Sequence, residues 1–255
     1  MAVWVRFEGG FGTLSDGMVV PHEGDMFGEC SPSGEPVALA DLALLPPCMP
    51  GKFICLWNNF HALAARLGQT APQTPLYLLK ANSAILAPGG TIRLPAAYSG
   101  KVTYEGELGI VIGRICSGAS EAEAEAAIFG YTCVNDVTAL DLLHEDPSFP
   151  QWTRAKSCDS FGPFGPAIAT GLDPSALTVR TLLNGRERQN YPVSDMILPP
   201  ARIVSLVSRE MTLLPGDLIA CGTSLGVLPM RPGAEVSVVI EGIGTLTNRV
   251  EAAGS

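Results

Sequence analysis

Residues 104–113 read Tyr104-Glu105-Gly106-Glu107-Leu108-Gly109-Ile110-Val111-Ile112-Gly113. With Val102 and Thr103 ahead of them, this apolar, β-branched run predicts one strand over 102–113. Successive side chains of a strand point to opposite faces, so Glu105 and Glu107 emerge together while Tyr104 and Leu108 point the other way. Two like charges side by side on an apolar strand resist burial, and a hard divalent ion held through oxygen would offset both. A solvated sheet face is the alternative reading. The next apolar run, 128–136, predicts a second strand ending in Asn135-Asp136, which offers a third carboxylate at a strand end.

Between these strands, residues 119–127 predict a helix capped by Ser120. Glu121, Glu123 and Glu125 repeat the two-residue spacing there, but acidic residues favour the positive end of a helix dipole, so they read as ordinary surface groups. Beyond the second strand, residues 151–157 form a polar, cationic loop that contains Gln151 and Lys156. Taken alone, such a lysine is more often a surface residue. Residues 177–183 and 186–191, joined by Asn184-Gly185, predict a hairpin with a type I′ turn. A helix over 199–211, a strand over 218–221 and a closing hairpin of 235–240 with 245–250 follow. The small-residue turn Gly222-Thr223-Ser224 places backbone N–H groups where they could face a ligand.

Upstream, residues 53–57 read as a buried strand, after which Asn58 or Asn59 can cap a short helix closed by Gly68, with His61 in its first turn. Residues 1–50 hold short strand pieces at 3–8 and 17–21 and end in the proline-fixed connector Leu44-Leu45-Pro46-Pro47-Cys48-Met49-Pro50. This predicts a small N-terminal subdomain over 1–50 and a larger domain over 51–255.

The chain has 255 residues, of which 47% are hydrophobic and 16% charged, so a disordered protein is excluded. Its 28 glycines and 21 prolines cut it into many short segments, pointing to a strand-rich fold. A net charge of -9 would repel a polyphosphate backbone, which argues against nucleic-acid binding. No apolar run approaches the roughly 20 residues of a membrane helix and no signal-peptide core is present, so no membrane association and a cytoplasmic protein are expected. The seven cysteines show no C-x-x-C spacing and lie mostly in apolar segments, which argues against disulfides and a thiolate metal site. Three scattered histidines cannot assemble a histidine-rich zinc site, so carboxylate ligands would mean magnesium, manganese or calcium.

The order of these elements resembles the fumarylacetoacetate hydrolase family. The resemblance is carried by residues 104–113, 130–136, 151–157 with Asp159 and Phe161-Gly162-Pro163, Ser194-Asp195-Met196-Ile197, 211–217 through Gly222-Thr223, and 241–246, and it runs from about 52 to 251. It implies an α+β fold built as a mixed β-sandwich roll behind a small N-terminal part, usually as a homodimer. It further implies a Mg2+ or Mn2+ ion held by Glu105, Glu107 and Asp136, Lys156 beside that ion, and His61 on a lid over the substrate. Gln151, Gly222 and Thr223 are the candidates for binding a small keto acid. The activity expected first is hydrolysis of a C–C bond in an acylpyruvate or related 1,3-diketo acid of a catabolic pathway, with His61 and Lys156 as catalytic residues. A keto-enol tautomerase, double-bond isomerase or 2-keto acid decarboxylase on the same metal site is the alternative, and a catalytically silent binding protein is a third possibility that so many retained polar groups oppose.

Three departures bear on that choice. Many family members place Glu three residues after the lid histidine to form a water-activating pair, and here that position is Ala64. Where the family commonly writes Asn-Asp-x-Ser-Ala-Arg-Asp-x-Gln, this chain runs from Asn135-Asp136 to Leu140, Asp141 and Leu143, so the arginine and glutamine are both leucine. Losing that cation removes a partner for a substrate carboxylate, which implies a different substrate or pose. Asn58 stands where tyrosine is common.

Overall fold

In antiparallel register, the strand Gly106–Ile112 pairs with Ile128–Asn135, Gly106 opposite Asn135 and Glu107 opposite Val134. These two strands lie near the middle of a mixed sheet in the computed structural model, which describes residues 1–252. Leu218–Ala220 flanks the first strand antiparallel, and Phe53–Trp57 and Leu76–Lys80 follow outward to the sheet edge. On the other side, Gly162–Ala169 pairs with the second strand and with Val3–Phe7, so the N-terminal strands Val3–Phe7, Gly10–Ser15 and Met18–Gly24 extend the same sheet. Strands dominate the described residues, in keeping with the strand-rich α+β expectation.

Both faces of the strand Gly106–Ile112 are buried, which explains its nearly continuous apolar sequence. Leu108, Ile110 and Ile112 face the larger core, shared with Val179, Val238, Ile240 and Leu246 of a second sheet and with Ile203 and Val207 of the helix Pro200–Ser208. Val111 faces the opposite core, with Phe53, Val134, Phe164 and Leu218. Glu107 and Gly109 alternate onto Val111's face, so the carboxylate of Glu107 is set at the end of this second core.

The expected single strand over 102–113 is divided. Val102–Thr103 belongs to a separate three-stranded sheet with Thr138–Ala139 and Pro229–Met230. The chain crosses between sheets at Tyr104-Glu105, where the buried Tyr104 donates its hydroxyl to Gly226 O at 2.7 Å. The expected cap of the short helix is also corrected. In His61–Leu67 the N-cap residue is Phe60 without a side-chain cap, and Asp195 Oδ2 instead accepts the N–H of Ala62 at 3.0 Å. Asn59 is occupied elsewhere, bonded to Leu198 and Cys221. The helix expected over 199–211 spans Pro200–Ser208, and the polar loop expected at 151–157 is the short helix Trp152–Lys156.

The expected helix cap and hairpin turn hold. Ser120 and Glu123 form a capping box on Glu121–Ala127, whose three glutamates are exposed. Asn184 and Gly185 both take positive φ, 53° and 72°, as a type I′ turn requires. All seven cysteines are free, and among the described residues no helix is long and apolar enough to cross a membrane.

Candidate metal centre

Strand alternation and register together bring the three predicted carboxylates to one place. Glu105 and Glu107 are two residues apart, and Asp136 donates its N–H to Glu105 O at 2.8 Å, one step beyond the Gly106–Asn135 pair. Paired residues share a face, so all three side chains converge, with one oxygen of each within 4.8 Å of the others. Thr138 Oγ1 donates to Glu105 Oε1 at 2.7 Å, and Asn135 Oδ1 accepts the Glu105 N–H at 3.1 Å. Gly222 N–H donates to Glu107 Oε2 at 2.7 Å, while Glu107 Oε1 is buried without a partner. Lys156 Nζ stands 2.6 Å from Asp136 Oδ2 and 2.8 Å from Glu105 Oε2. A second buried lysine, Lys80, lies 2.7 Å from Asp136 Oδ1.

Gly106, between the two glutamates, is clamped from several sides. Gln189 Oε1 accepts its N–H at 3.0 Å, and the hydroxyls of Tyr191 and Thr223 both donate to its carbonyl. A Cβ at this position would fall 1.9 Å from Thr181 Oγ1. Gly106→Ala is therefore expected to destabilise the fold by about 2–3 kcal/mol through overpacking and to weaken Mn2+ binding by displacing both glutamates. Thermal melts and a Mn2+ titration check this, and wild-type values in both would show that Thr181 yields without moving the clamp.

Burial, the neighbouring carboxylates and two lysines set the charge states of the cluster. Burial pushes the Glu107 carboxyl well above its usual range, Asp136 and Glu105 add to this, and Lys156 only partly opposes it. Burial would also raise Asp136, but Lys156 and Lys80 outweigh it and hold it below the usual aspartate range. Burial would lower Lys156, yet Asp136 and Glu105 outweigh that and hold it above the ordinary lysine range, so it is a fixed positive charge at neutral pH. Three carboxylate donors, two of them (Glu107 Oε1 and Asp136 Oδ1) with a buried oxygen that accepts no hydrogen bond, fit a hard divalent ion such as Mg2+ or Mn2+.

The remaining predicted residues are placed less uniformly. Gly222 and Thr223 touch the cluster through Glu107 and Gly106. His61 is exposed at the start of its helix, and its side chain makes no hydrogen bond or ion pair among the described residues. The segment leading into that helix passes Gly222, whose N–H holds Glu107: Asn59 Cβ lies 3.4 Å from where a Cβ on Gly222 would be. Ala64 is buried against the core. Gln151 lines a cavity of about 350 Å³ with Tyr77, Leu78, Phe149 and Trp152, and its side chain hydrogen-bonds to none of the three carboxylates. Sequence reasoning missed Lys80 and Gln189, and gave Asp195 only as part of a matching motif, without its capping role. The only signal for Lys80 is a lone cation closing the apolar run Leu76-Tyr77-Leu78-Leu79.

Residues 52–251 match the family described as fumarylacetoacetate (FAA) hydrolase C-terminal, and residues 4–47 match the Rv2993c-like N-terminal family. The chain belongs to the fumarylacetoacetate hydrolase family. It is 47% identical over 227 residues to protein Rv2993c of Mycobacterium tuberculosis, covering 88% of this chain and 84% of that protein. It is 34% identical to the oxaloacetate tautomerase YisK of Bacillus subtilis, covering 84% of this chain and 74% of that protein. Its fold is similar to the crystal structure of 2-hydroxyhepta-2,4-diene-1,7-dioate isomerase from Mycobacterium marinum, with a TM-score of 0.91, 41% identity and full coverage of both chains. The chain's relatives thus include one named as a tautomerase and one named as an isomerase.

Proposed function

We propose that this chain is a divalent-metal-dependent enzyme that interconverts keto and enol forms, or shifts a double bond, in a 2-keto acid of the oxaloacetate type. The observation that carries this reading is the convergence of Glu105, Glu107 and Asp136 around the Lys156 ammonium. A bound Mg2+ or Mn2+ would polarise neighbouring oxygens of the keto acid and so favour loss of a proton from the adjoining carbon. Lys156 supplies a second, preorganised positive charge where negative charge develops on those oxygens. The Gly222-Thr223 turn closes one side of the centre and holds Glu107 in place. His61, its side chain free of hydrogen bonds among the described residues and at the start of the helix that follows the segment passing Gly222, is the group we assign to take and return the proton.

Hydrolysis is the second reading. It requires a base that is oriented to deprotonate water, and Ala64 supplies no carboxylate to orient His61. The two are separated by incubating oxaloacetate and a panel of acylpyruvates with enzyme and Mg2+ in deuterated water. Deuterium entering the carbon beside the keto group, with no other change in mass, is the expected result. Fragments that have gained water would establish the hydrolase, and loss of carbon dioxide a decarboxylase. A family-like Ala64→Glu variant is expected to leave deuterium exchange unaccelerated.

A further inference from the structure

Lys80 is buried, and its ammonium is surrounded by protein oxygens: Asp136 Oδ1 at 2.7 Å and the carbonyls of Lys156 at 2.6 Å, Phe161 at 2.8 Å and Val137 at 3.2 Å. Its three N–H donors go to the three carbonyls, and Asp136 Oδ1 is held by charge as an ion-pair partner, so no donor is left for substrate or solvent. Buried and so bonded, Lys80 sits as part of the scaffold of the centre. Its contacts separate it from Lys156, which touches both Glu105 and Asp136, whereas Lys80 touches neither glutamate. Asp136 therefore has one oxygen, Oδ1, ion-paired with Lys80 and the other, Oδ2, bonded to Lys156 at the cluster.

The three carbonyls belong to segments that build the centre. Val137 follows Asp136, Lys156 ends the helix Trp152–Lys156, and Phe161 precedes the strand Gly162–Ala169. The fold makes room for this: Lys80 closes the strand Leu76–Lys80 opposite Phe53, and a Cβ on Gly162 would come within 3.1 Å of Lys80 Cδ.

We propose that Lys80 is a positioning residue of the metal centre, fixing Asp136 so that it offers a single oxygen and tethering the backbone of Lys156 so that its ammonium stays at the cluster. This rests on the metal-centre reading above. The alternative is that Lys80 acts through charge alone. The two differ in sign, because removing a nearby positive charge without moving Asp136 would strengthen cation binding.

The test uses Mn2+ itself as the probe, in titrations of the wild-type chain and the variants Lys80→Gln and Lys80→Arg. Lys80→Gln is expected to weaken Mn2+ binding roughly 10-fold to 100-fold, the range found for groups that orient metal ligands, and to lower kcat more than it raises KM. Its Mn2+ spin-resonance spectrum should be broader than that of the wild type as Asp136 loses its fixed orientation, with partial recovery in Lys80→Arg. Unchanged or tighter Mn2+ binding in Lys80→Gln overturns the inference while leaving the metal-centre reading intact. Failure of the wild-type chain to bind Mn2+ overturns both. A second measurement needs no substitution at Lys80: in side-chain ammonium NMR of the wild-type protein, assigned against Lys156→Met, Mg2+ should shift the Lys156 signal and leave that of Lys80 slow to exchange and in place. Displacement of the Lys80 signal by Mg2+ would also overturn the proposal.

Discussion

Glu107→Gln is expected to leave the protein folded, with a metal-free melting temperature equal to or above that of the wild type, while Mn2+ binding and metal-dependent turnover fall to background. The two effects part because of where the side chain sits. Glu107 is fully buried, one oxygen accepts the Gly222 N–H and the other has no partner. Glutamine keeps the volume and an acceptor for Gly222, and removes a charge whose burial is unfavourable in the absence of a cation. Its amide nitrogen is a poor ligand for a hard ion, so the loss of affinity should exceed the roughly 10–100-fold attached to groups that only orient ligands. Calorimetric melts and a Mn2+ titration are sufficient to check it. Near wild-type affinity would remove Glu107 from the centre, and a collapse in stability would show that its charge holds the fold rather than a metal.

How far this centre can be read from the sequence follows from the range of the interactions that form it. The spacing of Glu105 and Glu107 and the end of the strand at Asp136 are local, and local periodicity places all three on one side of two adjacent strands. The break at Tyr104-Glu105 was not legible, because it depends on Val102–Thr103 finding partners at Thr138–Ala139 and Pro229–Met230, far along the chain. Asp195 capping the helix of His61 is equally non-local, and it displaced the asparagine that local capping rules favour. Lys156 was legible only through the resemblance, since one lysine in a polar segment reads as surface. Lys80 escaped altogether: its meaning lies in three carbonyls and a carboxylate that meet only after several strands have assembled. The glycine at 106 carried a signal in retrospect, because a residue without Cβ between two glutamates marks the close approach of Thr181.

Lys156→Met is expected to lower turnover by about 10²–10³-fold, the loss typical of removing one preorganised donor to a developing negative charge, while Mn2+ binding is kept or strengthened. Methionine follows the buried stem of the lysine and differs mainly in losing the ammonium. That ammonium lies within 2.8 Å of both Glu105 and Asp136, so its removal takes a like charge away from an incoming metal ion and leaves the carboxylates more strongly attracting. In the metal-free protein the same loss leaves Glu105 without its cation and Asp136 with Lys80 alone. The melting temperature should therefore fall, though by less than the roughly 3–5 kcal/mol of a fully broken buried pair, because Lys80 still compensates Asp136 and Glu105 is partly exposed. Added Mn2+ should restore most of that stability. The decisive comparison is then turnover at saturating Mn2+, where the fold is repaired but the ammonium is still missing. A rate within about threefold of wild type, roughly 0.7 kcal/mol in the barrier, would show that Lys156 only neutralises the empty cluster and has no part in stabilising the reacting keto acid.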